Sequence, residues 1–143
     1  MTRNTFQGKN AWITGASSGI GEALVYEFVN RDAKVIISSN DDPGLERVRK
    51  ACGEKAGNVI CIPFDLAETS AIESLVEEQM NKIGNIDYLL NIGGISQRAR
   101  VDEIPLWLDR KIFEINYFGT VALTKAVLPY MIRQKSGHII ATS

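Results

Sequence analysis

Thr14-Gly15-Ala16-Ser17-Ser18-Gly19-Ile20-Gly21 is the stretch on which the reading of this chain turns. Just before it, Ala11-Trp12-Ile13-Thr14 is a short apolar run of strand type. Just after it, residues 20–30 set Ile20, Ala23, Leu24, Phe28 and Val29 at spacings of about three and four, one apolar stripe of a helix. Gly15, Gly19 and Gly21 are more glycines than a tight strand-to-helix turn without a ligand needs. Glycine takes positive φ without strain and lets another molecule approach the backbone. The free N–H groups and dipole of a helix start favour an anion there. The stretch therefore predicts a cradle for the pyrophosphate of a dinucleotide. A P-loop is excluded, because no Gly-Lys-Ser/Thr comes after it.

The same alternation continues outward. Further apolar runs are Lys34-Val35-Ile36-Ile37-Ser38-Ser39, Asn58-Val59-Ile60-Cys61-Ile62, Ile86-Asp87-Tyr88-Leu89-Leu90-Asn91 and His138-Ile139-Ile140-Ala141-Thr142. None alternates apolar with polar, as strands covered on both faces require. Between them lie helical patterns over 45–56, over 71–83 with Thr69 or Ser70 as N-cap, and over 108–134. The last is apolar on more than one face, so it is either deeply buried or packed on another subunit; Pro129 should bend it. Strict β-α alternation predicts a Rossmann-type, doubly wound parallel sheet of three layers in strand order 3-2-1-4-5. No linker divides residues 1–143, which read as one domain.

Composition excludes other classes. The chain has 143 residues, 45% of them hydrophobic and 23% charged, with a net charge of −1. That balance gives no general attraction to nucleic acid or anionic lipid. No apolar run reaches the roughly 18 residues of a membrane span. The opening from Met1 to Lys9 lacks the apolar core of a signal peptide, so the expected location is cytoplasmic. Cys52 and Cys61, without CxxC spacing, read as reduced and structural. The lone histidine, His138, begins a strand with no partner signalled, and no metal site is expected.

The spacing TGxxxGxG, taken with three later motifs, resembles the short-chain dehydrogenase/reductase family. Asn91-Ile92-Gly93-Gly94 is similar to the family's NNAG, with two departures. Asp65-Leu66 comes after the third strand, where the family's Asp bonds the adenine amino group. Phe113-Glu114-Ile115-Asn116-Tyr117-Phe118-Gly119 resembles the element holding the family's catalytic Asn. The resemblance implies that Asn116 is catalytic, its side chain displacing a helical hydrogen bond and holding a water. It implies that Gly15, Ser17, Ser18, Gly19, Ile20, Gly21, Ser39, Asn40, Asp65, Leu66, Asn91, Gly93 and Gly94 bind the cofactor.

At the end of the second strand, an acidic residue selects NAD by binding the ribose 2′-hydroxyl. Ser39 occupies that position and Asn40 is next, so the expectation leans to NADP, with NAD the alternative; Asp41 and Asp42 are close enough in sequence to reach back. The implied activity is hydride transfer between the nicotinamide and a secondary alcohol or carbonyl substrate, in a homodimer or homotetramer.

The family's base is a Tyr with a Lys four residues later. Positions four after Tyr26, Tyr88, Tyr117 and Tyr130 hold Asn30, Ile92, Val121 and Gln134, so the motif is absent. The family's catalytic Ser, counted seven from Gly137, falls at position 144, one past Ser143. The chain therefore reads as the cofactor-binding half of a longer enzyme, inactive alone. The alternatives are a non-catalytic dinucleotide-binding or interaction protein, and a chain completed by a second one. Arg98 and Arg100 read as a solvated loop, and Trp107, Tyr117 and Phe118 as packing residues.

Overall fold

The computed structural model describes residues 6–143; Met1 to Thr5, part of the opening read above for a signal sequence, lie outside the described residues. Five parallel strands form one sheet in the order β3-β2-β1-β4-β5: β1 (Asn10–Thr14), β2 (Lys34–Ser38), β3 (Val59–Cys61), β4 (Tyr88–Asn91) and β5 (His138–Ala141). The expected order and three-layer α/β architecture are thus present. Alternate residues of β1 face opposite layers. Ala11 and Ile13 pack with Val25, Phe28 and Val29 of α1 (Gly19–Asn30) and Leu45 and Val48 of α2 (Asp42–Ala51). Trp12 points the other way, into Ile72, Val76 and Met80 of α3 (Thr69–Ile83) and Leu123, Val127 and Met131 of α5 (Thr120–Gln134). Trp12 is fully buried, and its indole N–H donates to Ser38 Oγ at 2.9 Å, so its polar edge is satisfied.

Several boundaries differ from the sequence expectation, each for a local reason. α2 starts at Asp42, not 45, because the Asp41 carboxylate accepts from the Gly44 N–H at 3.1 Å and Pro43 sits in the first turn. It ends at Ala51, and Gly53–Asn58 is a 3₁₀ segment. α3 has Glu68 at its N-cap with no side-chain cap; Thr69 is already helical. The long final helix is α4 (Leu106–Phe113), a π-helical turn over Glu114–Gly119, then α5, which continues through Pro129. It is not deeply buried: Trp107, Phe113, Tyr117, Phe118, Leu128 and Ile132 are exposed, and Trp107 does not serve as a packing residue. Tyr117 and Phe118 meet only edge to face with each other among the described ring contacts. No described helix is long and apolar enough to cross a membrane.

Candidate functional site

The chain runs from β3 at one side of the sheet back across to β4 beside β1, and a crevice opens where the winding reverses. A cleft of about 400 Å³ lies there, lined by the ends of β1 and β2 and by residues that follow β3, β4 and β5. Its floor is the contact between two loops. An added Cβ on Gly15 (φ +63°) would lie 2.7 Å from Gly93 Cα, so the backbones touch and Gly15 does not tolerate a side chain; a Cβ on Gly93 would lie 3.2 Å from the Gly15 N and 2.8 Å from Leu66 Cδ1. Thr14 fastens them: its Oγ1 accepts from the N–H groups of Ile92 at 3.1 Å and Gly93 at 3.0 Å.

The start of α1 forms one wall. Ser18 makes no side-chain cap, so the first-turn N–H groups are left for another acceptor. Gly19 has φ +57°, and a Cβ there would meet nothing within 4 Å; the space above it is open. Ile20, read from sequence as part of the buried stripe, is 64% exposed and lines the cleft instead, while Val25 takes the core position. Ala23 is likewise outside the core.

Ser39 closes the far wall. Its Oγ lies 2.9 Å from Ser17 Oγ and accepts from the Asp41 N–H at 3.1 Å. Asp41 turns its carboxylate into the α2 cap and does not reach back over Ser39. Asn40 is exposed at the rim. Asp65 is the one charged side chain among the described lining residues; its Oδ1 accepts from the Ala67 N–H at 2.9 Å.

Twelve of the expected cofactor residues line this cleft: Gly15, Ser17, Ser18, Gly19, Ile20, Gly21, Ser39, Asn40, Asp65, Leu66, Gly93 and Gly94. Asn91 does not. It is 4% exposed beneath the cleft, donates from Nδ2 to Thr124 Oγ1 at 3.2 Å, and leaves its Oδ1 without a partner. Asn116 sits in the π turn, exposed and outside the cleft lining. Its Oδ1 accepts from the Ile95 N–H and its Nδ2 donates to the Ile95 carbonyl, both at 2.8 Å. Both bonds go to Ile95, so the side chain clamps the 92–95 loop; an amide oxygen can accept twice and an amide nitrogen donate twice, so the exposed Asn116 retains one acceptor and one donor site. The lining also includes Thr14, Ser38, Phe64, Ile92, Ile95, Ile115 and Thr142, which sequence reasoning did not assign to the cofactor. Thr142 had a signal, its place at the end of a parallel strand.

Tyr26 is not an activated base. The Tyr26 hydroxyl donates to Glu22 Oε1 at 2.7 Å, and that carboxylate raises its pKa, opposite to what a base requires. Cys52 and Cys61 are free, half-buried thiols; burial raises both, Cys61 to about 11. His138 is exposed at the start of β5, its ring stacked on Tyr88. Arg100 pairs with Asp102 on the surface, and Arg98 is exposed. No group of three or more His, Cys, Asp or Glu suited to a metal occurs among the described residues.

Residues 9–143 match the family model for short chain dehydrogenases. The chain belongs to the short-chain dehydrogenase family. Dehydrogenase/reductase SDR family member 7 of Homo sapiens is 40% identical over 136 residues, spanning 92% of this chain and 40% of that protein. Dehydrogenase/reductase SDR family protein 7-like of Drosophila melanogaster is 42% identical over 141 residues, 96% of this chain and 43% of its own length. The chain thus spans about two fifths of these relatives. A metagenomic short-chain oxidoreductase solved with NADP superposes with a TM-score of 0.89 at 26% identity, over 95% of this chain and 62% of its own. A short-chain dehydrogenase from Streptomyces avermitilis superposes at 0.85 and 27% identity, over 99% and 50%. The matched region holds the whole cleft.

Proposed function

We propose that this chain forms the dinucleotide-binding portion of an oxidoreductase that moves a hydride between NADP(H) and a secondary alcohol or carbonyl. The observation that carries the reading is the bare start of α1: an uncapped helix N-terminus, with open space over Gly19, at the crevice where the sheet reverses. Those residues fit an anionic diphosphate. When bound, the nicotinamide supplies the hydride acceptor or donor.

The chain's own residues would hold and orient that cofactor. Gly19, Ile20 and Gly21 offer first-turn N–H groups to the phosphates, and Asp65 offers a carboxylate oxygen to the adenine amino group. Asn116 clamps the loop over the nicotinamide end through Ile95. NADP(H) over NAD(H) is supported by the wall at Ser39, where no carboxylate repels a 2′-phosphate and Asp41 is committed to its cap. The exposed apolar face of α4, the π turn and α5 supports a second copy as partner.

Titration of the pure chain with NADPH and NADH tests the reading. Binding of NADPH at least about tenfold tighter than NADH is expected, a difference of about 1.4 kcal/mol. A clear NADH preference would overturn the NADP(H) assignment. Turnover with secondary alcohols is expected to be undetectable for these 143 residues, since the sequence holds no Tyr-x-x-x-Lys.

A further inference from the structure

Arg47 lies outside the cleft lining, on the exposed face of α2, yet it reaches the glycine loop. Its Nη1 and Nη2 donate to the two Glu22 carboxylate oxygens at 2.8 Å each, a bidentate pair between α2 and α1. The same Nη2 donates to the Ser17 carbonyl, also at 2.8 Å. Tyr26 braces Glu22 from the other side. The pair is neutral overall, so it adds little long-range charge to the cleft. What it adds is position. In a trans peptide the C=O and N–H point opposite ways. Holding the Ser17 carbonyl toward Arg47 turns the Ser18 N–H to the other side and fixes the peptide that leads into Gly19.

We propose that Arg47 is a positioning residue for the dinucleotide site, locking the Ser17–Ser18 peptide of the glycine loop so that cofactor affinity depends on a side chain that does not line the cleft. The proposal rests on the dinucleotide reading above. Two further observations agree with it. Ser17 is held on its side-chain end as well, by Ser39. Gly44 packs so closely that a Cβ there would lie 2.9 Å from Ser17 Cβ, so α2 seats directly on the loop. The Glu22 carboxyl is held at about 2, so the pair stays ionised at any working pH.

The test compares NADPH affinity of the wild-type chain with Arg47→Met, Arg47→Lys and Lys55→Met. Lys55 is a matched control: it also bonds a carboxylate and a backbone carbonyl, Asp32 at 2.7 Å and Asn30 at 3.1 Å, but away from the cleft. Loss of a charged donor predicts that Arg47→Met weakens NADPH about tenfold, while Arg47→Lys, which keeps a cation able to donate, stays within about threefold. Lys55→Met should leave affinity within about twofold, with a melting loss similar to that of Arg47→Met. If Arg47→Met does not fold, Arg47→Gln is the milder variant and should lose affinity in the same direction. Wild-type affinity in Arg47→Met or Arg47→Gln, or equal weakening by Lys55→Met, overturns the positioning role. Failure of the wild-type chain to bind NADPH or NADH overturns the underlying site reading instead, so the two failures are distinguishable.

Discussion

Gly21→Ala separates the demands of the helix from those of the loop. In a helix interior alanine is better than glycine by about 0.8–1.0 kcal/mol, so propensity alone predicts stabilisation. The geometry predicts the reverse. The added Cβ would lie 2.2 Å from the Gly15 carbonyl oxygen and 2.7 Å from its carbon, both backbone atoms that no rotamer can move. To reach the ordinary contact distance of 3.4 Å the loop must retreat by about 1.2 Å. Overpacking costs about 1–3 kcal/mol, and an overlap this deep with fixed backbone belongs in the upper part of that range, about 2–3 kcal/mol, which outweighs the propensity gain and leaves a net loss of about 1–2 kcal/mol. For a chain of this size that is a melting decrease of about 3–6 °C. Affinity should suffer more, because the displaced atoms carry the proposed phosphate cradle. Each lost hydrogen bond to a charged group costs about 1.5–3 kcal/mol, so NADPH binding should weaken by about tenfold or more. The assays are thermal melting and titration calorimetry. Gly57→Ala is the control, since a Cβ at Gly57 meets nothing within 4 Å. Gly21→Ala with wild-type affinity would refute the reasoning, whatever its melting temperature.

Three further outcomes rest on particular contacts. Thr14→Val removes the acceptor for two loop N–H groups, Ile92 and Gly93, and should cost about 2 kcal/mol in urea unfolding, with Thr14→Ser near wild type; an unchanged midpoint for the valine variant would contradict the fastening role. Asn116→Asp keeps the acceptor for the Ile95 N–H but sets a carboxylate oxygen against the Ile95 carbonyl. Amide exchange of the 92–95 loop should then quicken by about tenfold, a loss of about 1.4 kcal/mol of local protection; unchanged exchange there would count against the clamp. The Arg47 guanidinium, with help from the Tyr26 hydroxyl, holds Glu22 down from its ordinary 4.5 to about 2. A depressed carboxyl stabilises above its unfolded pKa and loses that contribution as pH falls through the folded one. The stability gap between wild type and Glu22→Gln should therefore be constant above about pH 5 and close between about 4.5 and about 2; a gap that persists at pH 2 would contradict the pair.

The sheet was legible because its strands are continuous apolar runs separated by helical stripes, and that alternation has few three-dimensional solutions. The cleft was legible because glycine spacing at a strand-to-helix junction reports backbone crowding directly, and Gly15 against Gly93 is such a crowding. What stayed hidden depends on tertiary contact. Ile20 fits the helical period, but periodicity does not distinguish an apolar residue facing a cleft from one facing the core. The π turn at Asn116 depends on a side-chain bond to Ile95, 21 residues earlier, which no local pattern encodes. Arg47 reads as an ordinary charged helix residue; its partners are 25 and 30 residues away. The start of α2 was readable in principle, from Asp41 and Pro43, and was masked by the weak apolar pattern before Leu45.

The most direct measurement is the amide NMR response of the chain to NADPH. Saturable binding is expected, with the largest shifts at the N–H groups of Gly15, Ser18, Gly19, Ile20 and Gly21, and smaller ones at Asp65 and Gly94. No saturable shift at millimolar NADPH or NADH, or shifts centred away from the start of α1, would contradict the claim that this cleft holds a nicotinamide dinucleotide.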